Sequence, residues 1–509
     1  MGEHQGGRAL FDERSRQVTR RKTLTPNRRH IMAGAGAIAL NAALPPAALD
    51  AALPSAARAA SFASKRPPLV KRLFTSPAVE AEIARVKAGI ADPELAWMFE
   101  NCYPNTLDTT VETGMVDGKP DTFVITGDIT AMWLRDSSAQ VQPYVHLAPR
   151  DPALQRLFHG LIQRQARCIL IDPYANAFMK DPAARSDLEW SQSDKTDMKP
   201  GVAERKWEID SLCYPMRLGH AYWTATRDKA PFDETWARAM KLAVATFRVQ
   251  QRKDGRGPYN FQRTASQPTD SLILDGYGAP TRKIGLIHSM FRPSDDACVY
   301  PFLIPSNLFA VSALRKLAVV HRQARNDAVA ARDCETLAAE VEAALKAHAL
   351  VPDGQGGRVW AYEIDGFGNW LFMDDANVPS LSGLALIDAA KRDDPVFRRT
   401  AALAWSPRNP YFFRGKAAEG VGGPHVGMDQ IWPMSIITHA MNADDDATII
   451  QCLRWLKTTH GGTGFMHESF DKDRPAKFTR SWFAWANALF GQLIVELAQR
   501  KPAVLVGRI

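Results

Sequence analysis

The chain has 509 residues, of which 46% are hydrophobic and 23% are charged. Two domains are the default expectation at this length, although closed helical barrels exceed it as single units. The net charge is +8, and +5 of it comes from residues 1–59. The remainder is therefore nearly balanced and lacks the basic surface of a nucleic-acid-binding protein.

The N-terminal leader is typical of a twin-arginine export signal. Arg28-Arg29 precede the apolar run 31–40, and a small-residue stretch ends in the A-x-A cleavage signal Ala57-Arg58-Ala59. The run is too short to span a bilayer stably. We predict cleavage near Ala59, no stable membrane insertion, and a periplasmic or secreted mature protein. A disordered extension is the alternative, and retention of the leader as a lipid-free membrane anchor stays open.

From residue 78 onward the pattern predicts one helix after another. Start signals such as Ser76-Pro77 and Asp151-Pro152 precede apolar residues at helical spacing, and Ser306 is a candidate cap. The predicted helices are 78–90, 154–162, 236–247, 307–324, 334–349, 394–404, 446–457 and 482–500. Strand patterning is rare, and its clearest case is a small hairpin within 358–372 that turns at Asp365-Gly366.

Six stretches between these helices are rich in glycine, proline and aromatic residues. They are 126–140, 207–215, 284–307, 374–380, 422–433 and 464–485. Their spread along the chain predicts an all-α fold, an (α/α)6 barrel with minor β-hairpins, in which loops at one end converge on a cavity. No linker-like break interrupts the series. We predict a signal at 1–59, a linker at 60–77, one catalytic domain at 78–500 and a tail at 501–509.

Three carboxylates stand out because apolar and aromatic residues surround them. Asp295 and Asp296 are adjacent in Phe291-Arg-Pro-Ser-Asp-Asp-Ala-Cys-Val-Tyr300, and Glu468 lies in Gly464-Phe-Met-His-Glu-Ser-Phe470. Burying an acid is costly unless it is paired or used. Two acids that face one cavity suffice to hydrolyse a glycosidic bond, one protonating the leaving oxygen and the other activating water. These three residues are the catalytic candidates.

Sugar recognition is the chemistry that the 126–140 stretch favours. Trp133 has a face for a pyranose ring, Asp136 accepts hydroxyl hydrogen bonds, and Arg135 donates them in a fixed fork. A structural Arg–Asp pair beside a core tryptophan explains these residues equally well. The further candidate substrate-binding residues are Glu208, Asp210, His288, Arg292, His425, Asp429, Gln430 and Arg480.

Other chemistries lack their usual motifs. His425 and Asp429 resemble a metal pair, but no HExxH motif or equivalent third ligand accompanies them, so we predict no catalytic metal. No nucleophile elbow, phosphate loop or dinucleotide fingerprint is present, and we predict no cofactor. The six cysteines have no C-x-x-C spacing, which favours buried free thiols over disulfides.

Four motifs together resemble glycoside hydrolase family 125. They are Thr126-Gly-Asp-Ile-Thr-Ala-Met-Trp-Leu-Arg-Asp-Ser137, the segment 207–215, the segment 291–298 with 302–307, and His467-Glu-Ser-Phe470. The resemblance covers roughly residues 78–500. It implies an (α/α)6 barrel and a metal-independent, exo-acting α-1,6-mannosidase that inverts the anomeric centre. It also implies that Glu468 is the general base and that the general acid is Asp295 or Asp296, between which the sequence does not decide.

The expected partner is a mannose-containing oligosaccharide or glycan, bound by a monomer. Two rival functions differ in class. Another glycan enzyme on a helical barrel, such as an α-glucosidase or a sugar epimerase, would act on different substrates. A catalytically inactive periplasmic glycan-binding protein would bind mannosides without forming product.

Overall fold

The computed structural model describes residues 62–509, so the predicted export signal and its cleavage site lie outside the described residues. Helices form most of the regular structure in this range. They are α1 (Pro77–Ala88), α2 (Pro93–Cys102), α3 (Asn105–Thr109), α4 (Leu134–Val141), α5 (Pro152–Ile171), α6 (Ile209–Thr226), α7 (Glu234–Gln250), α8 (Ile304–Gln323), α9 (Ala328–His348), α10 (Pro395–Ala404), α11 (Pro433–Asn442), α12 (Asp446–Thr459) and α13 (Ala484–Arg500).

Aspartate caps start many of these helices. The side chains of Asp151, Asp233 and Asp394 accept hydrogen bonds from backbone N–H groups in the first turns of α5, α7 and α10. Such a cap satisfies donors that the helix itself leaves unpaired. These starts agree with the predicted ones.

The strands are short and antiparallel. They are β1 (Val111–Val116), β2 (Lys119–Val124), β3 (Met132–Trp133), β4 (Ala177–Phe178), β5 (Val202–Glu204), β6 (Phe302–Leu303), β7 (Leu350–Pro352), β8 (Arg358–Trp360), β9 (Glu363–Ile364), β10 (Trp370–Leu371), β11 (Phe412–Arg414), β12 (Glu419–Val421), β13 (Gln430–Ile431), β14 (Ser469–Asp471) and β15 (Arg474–Thr479). Two-stranded pairs are β1–β2, β7–β8 and β11–β12. Three-stranded sheets have the orders β3–β4–β5, β10–β9–β6 and β13–β14–β15. In each of these three, one strand runs into a helix: β3 into α4, β6 into α8, and β13 into α11.

Five helices and one turn-rich segment contact one another in sequence. Helix α13 packs against α4, α4 against α6, α6 against α8, and α11 against α13. The segment 380–389 lies between α8 and α11: Ser312 Oγ of α8 donates to the carbonyl oxygen of Asp388 at 2.9 Å, and Asn442 Nδ2 of α11 donates to that of Ser382 at 2.8 Å. Further helices pack outside, with α9 on α8, α12 on α11 and α2 on α13.

One hydrophobic core cluster extends from Val79 to Leu505. The last residues contribute to it, since Val504 and Leu505 are buried and Leu505 accepts a hydrogen bond from Ala91 N at 2.8 Å. All six cysteines are buried free thiols, which confirms the prediction. Among residues 62–509, no helix is long and apolar enough to cross a membrane.

The inner helices α4 and α6 are the main correction to the predicted elements. The sequence placed the polar motifs between helices, whereas Arg135 and Asp136 lie in the first turn of α4 and Asp210 in that of α6. Neither helix has a side-chain cap hydrogen bond. Their starts therefore lack the signal by which helix starts are recognised.

Two smaller expectations also change. Ser306 is not the cap of α8, because the helix begins at Ile304 directly after β6, with Pro305 in its first turn. The turn at Asp365-Gly366 is confirmed between β9 and β10, but residues 358–360 pair with β7 instead of entering that hairpin.

Candidate active site

A cavity lies where the starts of the inner helices meet the loops that precede them. Its space, including the opening to solvent, is about 360 Å³. The lining residues are Thr126, Trp133, Arg135, Asp136, Pro293, Ser294, Asp295, Asn377, His425, Trp432, Glu468, Arg480, Phe483 and Trp485. Stretches that are far apart in sequence thus meet in one place.

Arg135 is the cation at the centre of this wall. Its Nη1 donates to Glu208 Oε2 at 2.7 Å and to Asp210 Oδ2 at 3.2 Å. Asp136 Oδ2 lies 3.4 Å from its Nε, and Asp295 Oδ1 lies 4.0 Å from its Nη2. Burial lowers the pKa of the guanidinium, but these carboxylates raise it more, to well above its usual value. Arg135 therefore stays charged and holds four acids in fixed positions.

Glu208 and Asp210 do not line the cavity and lie behind Arg135, fully buried. Burial raises the pKa of Glu208 well above its usual value although Arg135 opposes the shift. Burial likewise raises the pKa of Asp210 to about 6, again against Arg135. In the structure both carboxyl groups bind Arg135, and their predicted contact with substrate stays a prediction.

The two adjacent aspartates lie in a tight turn and differ in position. Asp295 has φ +67°, a left-handed conformation that costs a non-glycine residue about 1 kcal/mol or more. This backbone places Asp295 in the cavity wall, whereas Asp296 is fully buried and is not a lining residue. Asp296 Oδ2 accepts from Ser294 Oγ at 3.3 Å and lies 4.0 Å from His425 Nδ1.

Arg292 fixes the base of this turn and stays outside the cavity lining. Its Nε donates to Glu363 Oε1 at 2.6 Å, and the other oxygen of Glu363 accepts from the backbone N–H groups of Val299 and Tyr300. Burial lowers the pKa of Arg292, but Glu363 and its neighbours raise it above the usual value. A substrate-binding residue was expected here, and the structure shows an ion pair that anchors the loop.

Glu468 is far from that turn in sequence and lies just before β14. Arg480 Nη1 donates to Glu468 Oε1 at 3.4 Å, and Arg480 Nε donates to Asp128 Oδ1 at 3.0 Å. Gly127 allows the chain beside Asp128 to approach Trp482 closely, because at φ +126° a Cβ there would overlap the carbonyl oxygen of Trp482. Arg480 therefore places a positive charge beside Glu468.

Besides Glu208, Asp210 and Arg292, three more predicted substrate-binding residues are not lining residues of this cavity. Both ring nitrogens of His288 have protein partners, the carbonyl oxygen of Gln250 at 2.7 Å and Thr281 Oγ1 at 2.6 Å. Burial also lowers the pKa of His288 to about 3, so the ring is neutral. Asp429 is half exposed and accepts from Lys472 Nζ at 2.7 Å, while Gln430 pairs with β14. Asp429 and Gln430 are close to His425 in sequence, but they do not line the cavity with it.

Several lining residues were not singled out from the sequence. Trp432, Phe483 and Trp485 contribute aromatic surface, and Thr126, Pro293, Ser294 and Asn377 contribute the rest. The Cζ atom of Arg135 lies 5.9 Å from the ring centre of Trp485, and that of Arg480 lies 4.7 Å from Phe483. The signal that could have found them is their place inside the six motif-rich stretches or directly before an inner helix.

Three carboxyl groups, two arginines and several aromatic side chains line the cavity. Glycosidic hydrolysis needs two carboxyl groups that face one cavity, and Asp295 and Glu468 are the candidates for that pair. Among residues 62–509, no group of three or more His, Cys, Asp or Glu side chains is placed to hold a metal ion. A helical fold with such a cavity is typical of a glycoside hydrolase.

Comparison with known proteins narrows the class to one family. Residues 92–495 match glycoside hydrolase family 125, the metal-independent α-mannosidases. The meiotically up-regulated gene 157 protein of Schizosaccharomyces pombe is 42% identical over 458 residues, which cover 87% of this chain and 89% of that protein. A Streptococcus pneumoniae metal-independent α-mannosidase, solved in a non-productive complex with α-1,6-mannobiose, has a TM-score of 0.80 at 38% identity, covering 84% of this chain and 100% of that one. The chain belongs to glycoside hydrolase family 125.

Proposed function

We propose that this α-mannosidase is an inverting, exo-acting enzyme that releases terminal mannose from α-1,6-linked mannosides. The observation that carries the proposal is the presence of Asp295 and Glu468 in the wall of one small cavity. The α-1,6 linkage is supported by the mannobiose bound to the S. pneumoniae relative.

Asp295 is proposed as the general acid and Asp296 as its supporting neighbour. Asp295 is the one of the two that lines the cavity, where it can reach the leaving oxygen. Asp296 is fully buried between Ser294 and His425. Its negative charge close by favours the protonated form of Asp295, which a general acid needs at neutral pH.

Glu468 is proposed as the general base that activates water. Arg480 beside it favours the carboxylate form, and a base must be ionised to accept a proton. An inverting enzyme also needs room for water between base and sugar, with the two carboxyl groups roughly 6.5–9.5 Å apart. Exhaustive chelation should not affect this reaction, since both proton transfers use protein groups.

The composition of the cavity supports the exo mode. Two arginines, several acids and several aromatic rings in one cavity can bind the hydroxyls and the ring face of one terminal sugar. Arg135 and Asp136 are proposed to bind that sugar. His425 also belongs to the lining and is proposed to contact it.

The finer fold and the location of the protein are part of the same proposal. The series α4, α6, α8, segment 380–389, α11 and α13 corresponds to the inner ring of an (α/α)6 barrel in which one inner helix is replaced by turns. The twin-arginine leader supports export to the periplasm or medium, and the enzyme is proposed to act there as a monomer.

Digestion of a long α-1,6-mannan tests the exo mode. We expect free mannose as the only early product, and early release of larger oligosaccharides would show an open cleft. Parallel assays on α-mannosides and α-glucosides test the substrate class. Turnover of the glucosides alone would favour the α-glucosidase alternative, and saturable mannoside binding without product would favour the binding protein.

A further inference from the structure

Lys206 is a buried lysine next to the catalytic cavity. It has no part in the reaction described above. Its side chain is 1% exposed. A buried ammonium group is costly unless polar partners surround it. Its partners therefore indicate why the chain keeps it there.

The ammonium group binds the backbone of the proposed general acid. Lys206 Nζ donates to the carbonyl oxygen of Asp295 at 2.6 Å. It also lies 3.5 Å from Asp270 Oδ1 and 4.9 Å from the ring centre of Phe291. The contact is thus with the main chain of the turn, and the Asp295 carboxyl group remains in the cavity wall.

The turn needs such a contact because Asp295 has a left-handed backbone at φ +67°. A non-glycine residue persists in this conformation only where its surroundings fix it. Within the turn, Asp295 N donates to Arg292 O at 2.9 Å, and Arg292 N donates to Asp296 O at 2.8 Å. Lys206 adds a charged donor from outside the turn, and such bonds are stronger than neutral ones.

Trp207, the residue after Lys206, also binds the segment that leads into the turn at Asp295. The carbonyl oxygen of Trp207 accepts from the N–H groups of Met290 and Phe291, each at 3.1 Å. The next residue, Glu208, binds Arg135 in the cavity wall. The segment 206–208 therefore fixes both the acid turn and the central arginine.

We propose that Lys206 is a positioning residue that holds the general acid in the geometry for protonating the leaving oxygen. The proposal rests on the assignment of Asp295 as the acid in the proposed function. Displacing a catalytic group by about 1 Å can cost on the order of 10²-fold in rate. Loss of Lys206 should therefore impair the step that requires the proton.

The test compares two substrates in purified full-length enzyme. α-1,6-Mannobiose has a leaving group that must be protonated, whereas α-mannosyl fluoride releases fluoride without that help. For Lys206→Met we expect kcat on mannobiose to fall by about 10-fold or more, toward the ~10²-fold of a lost proton transfer. We expect kcat on the fluoride to stay within about threefold of wild type. A merely structural lysine would lower both rates together.

Arg205→Met is the matched control. Arg205 is an adjacent buried cation whose partners are Asp172 and Thr196, away from the acid turn. For Arg205→Met we expect the ratio of kcat on mannobiose to kcat on the fluoride to equal that of the wild type. If Lys206→Met fails to fold, Lys206→Gln replaces it. In that variant we expect a smaller fall of kcat on mannobiose and again little change of kcat on the fluoride.

The outcomes separate this proposal from the proposed function. If Asp295→Asn loses mannobiose cleavage selectively and the Lys206 variant does not, the positioning role is wrong. Equal losses on both substrates in the Lys206 variant would also overturn it. If Asp295→Asn itself shows no selective loss, the assignment of the acid fails, and the role of Lys206 fails with it.

Discussion

The two halves of the cavity are built differently, and the difference matches the two protonation states that the proposed acid and the proposed base need. On the acid side, Asp295 lies near Asp296 and faces Arg135. Three other carboxyl groups also contact Arg135. On the base side, Glu468 lies beside Arg480, whose other acidic partner is Asp128. An excess of negative charge favours a protonated carboxyl group, and an adjacent cation favours an ionised one.

The two sides also differ in how they are held. Buried contacts fix the acid turn, namely the Arg292–Glu363 pair and the Lys206 bond to the main chain. Glu468 precedes β14, whose partner β15 is largely solvent-accessible. We infer that geometry matters most on the acid side and charge matters most on the base side.

Removal of the base should have the largest effect. Glu468→Gln keeps the shape of the side chain but cannot accept the proton of water, so kcat on α-1,6-mannobiose should fall by about 10²-fold or more. The thermal unfolding midpoint should hardly change. Asp429→Asn is the control on the same side, since Asp429 lies outside the cavity lining, and its kcat should stay within about twofold of wild type. A wild-type rate in Glu468→Gln would show that another residue is the base.

Substitution of the two aspartates should separate their roles. Asp295→Asn should remove most mannobiose cleavage because the acid is lost, by about 10²-fold. Asp296→Asn should mainly raise KM and weaken kcat less, because it alters the buried contacts to Ser294 and His425. Steady-state kinetics of both variants make the comparison. The reverse pattern would make Asp296 the acid.

Loss of Arg480 should change the pH dependence more than the fold. Burial lowers the pKa of Arg480, but Glu468 and Asp128 raise it above its usual value, so Arg480 stays charged beside Glu468. In Arg480→Met the ionised form of Glu468 loses this support. The acidic limb of the kcat/KM profile should therefore move to higher pH. An unmoved limb would mean that Arg480 does not tune the base.

Chelation of metal ions should have no effect on activity. The family is metal-independent, and both proposed proton transfers use protein carboxyl groups. We expect the same kcat/KM before and after exhaustive treatment with EDTA. A loss of activity that added Ca²⁺ or Zn²⁺ restores would contradict the account.

The sequence predicts the helical class and much of the site, because caps and motifs are local signals. Asp151 and Asp394 mark helix starts by a mechanism that needs only neighbouring residues. The motif-rich stretches likewise contain most of the lining residues. The starts of α4 and α6 could not be predicted in this way, because their first turns carry polar site residues and no cap.

Several predicted substrate-binding residues lie outside the cavity lining for a common physical reason. Glu208, Arg292 and His288 were selected for their chemistry, yet each has a protein partner. Whether a polar side chain faces a cavity or another side chain depends on long-range packing, which neighbouring residues do not encode. The role of Lys206 was missed for the same reason, since its bond to Asp295 joins residues 89 positions apart.

Proton NMR of an α-1,6-mannobiose digest tests the central claim most directly. One carboxyl group acting as acid and another acting as base for water require inversion at the anomeric carbon. Each cleavage also frees the reducing-end mannose, which is already an equilibrium mixture of both anomers. We therefore expect the β-mannopyranose signal to rise early above its equilibrium share and then to fall to that share by mutarotation. If the α-mannopyranose signal rose above its equilibrium share instead, Glu468 would act as a nucleophile in a retaining reaction, and the proposed division between acid side and base side would be wrong.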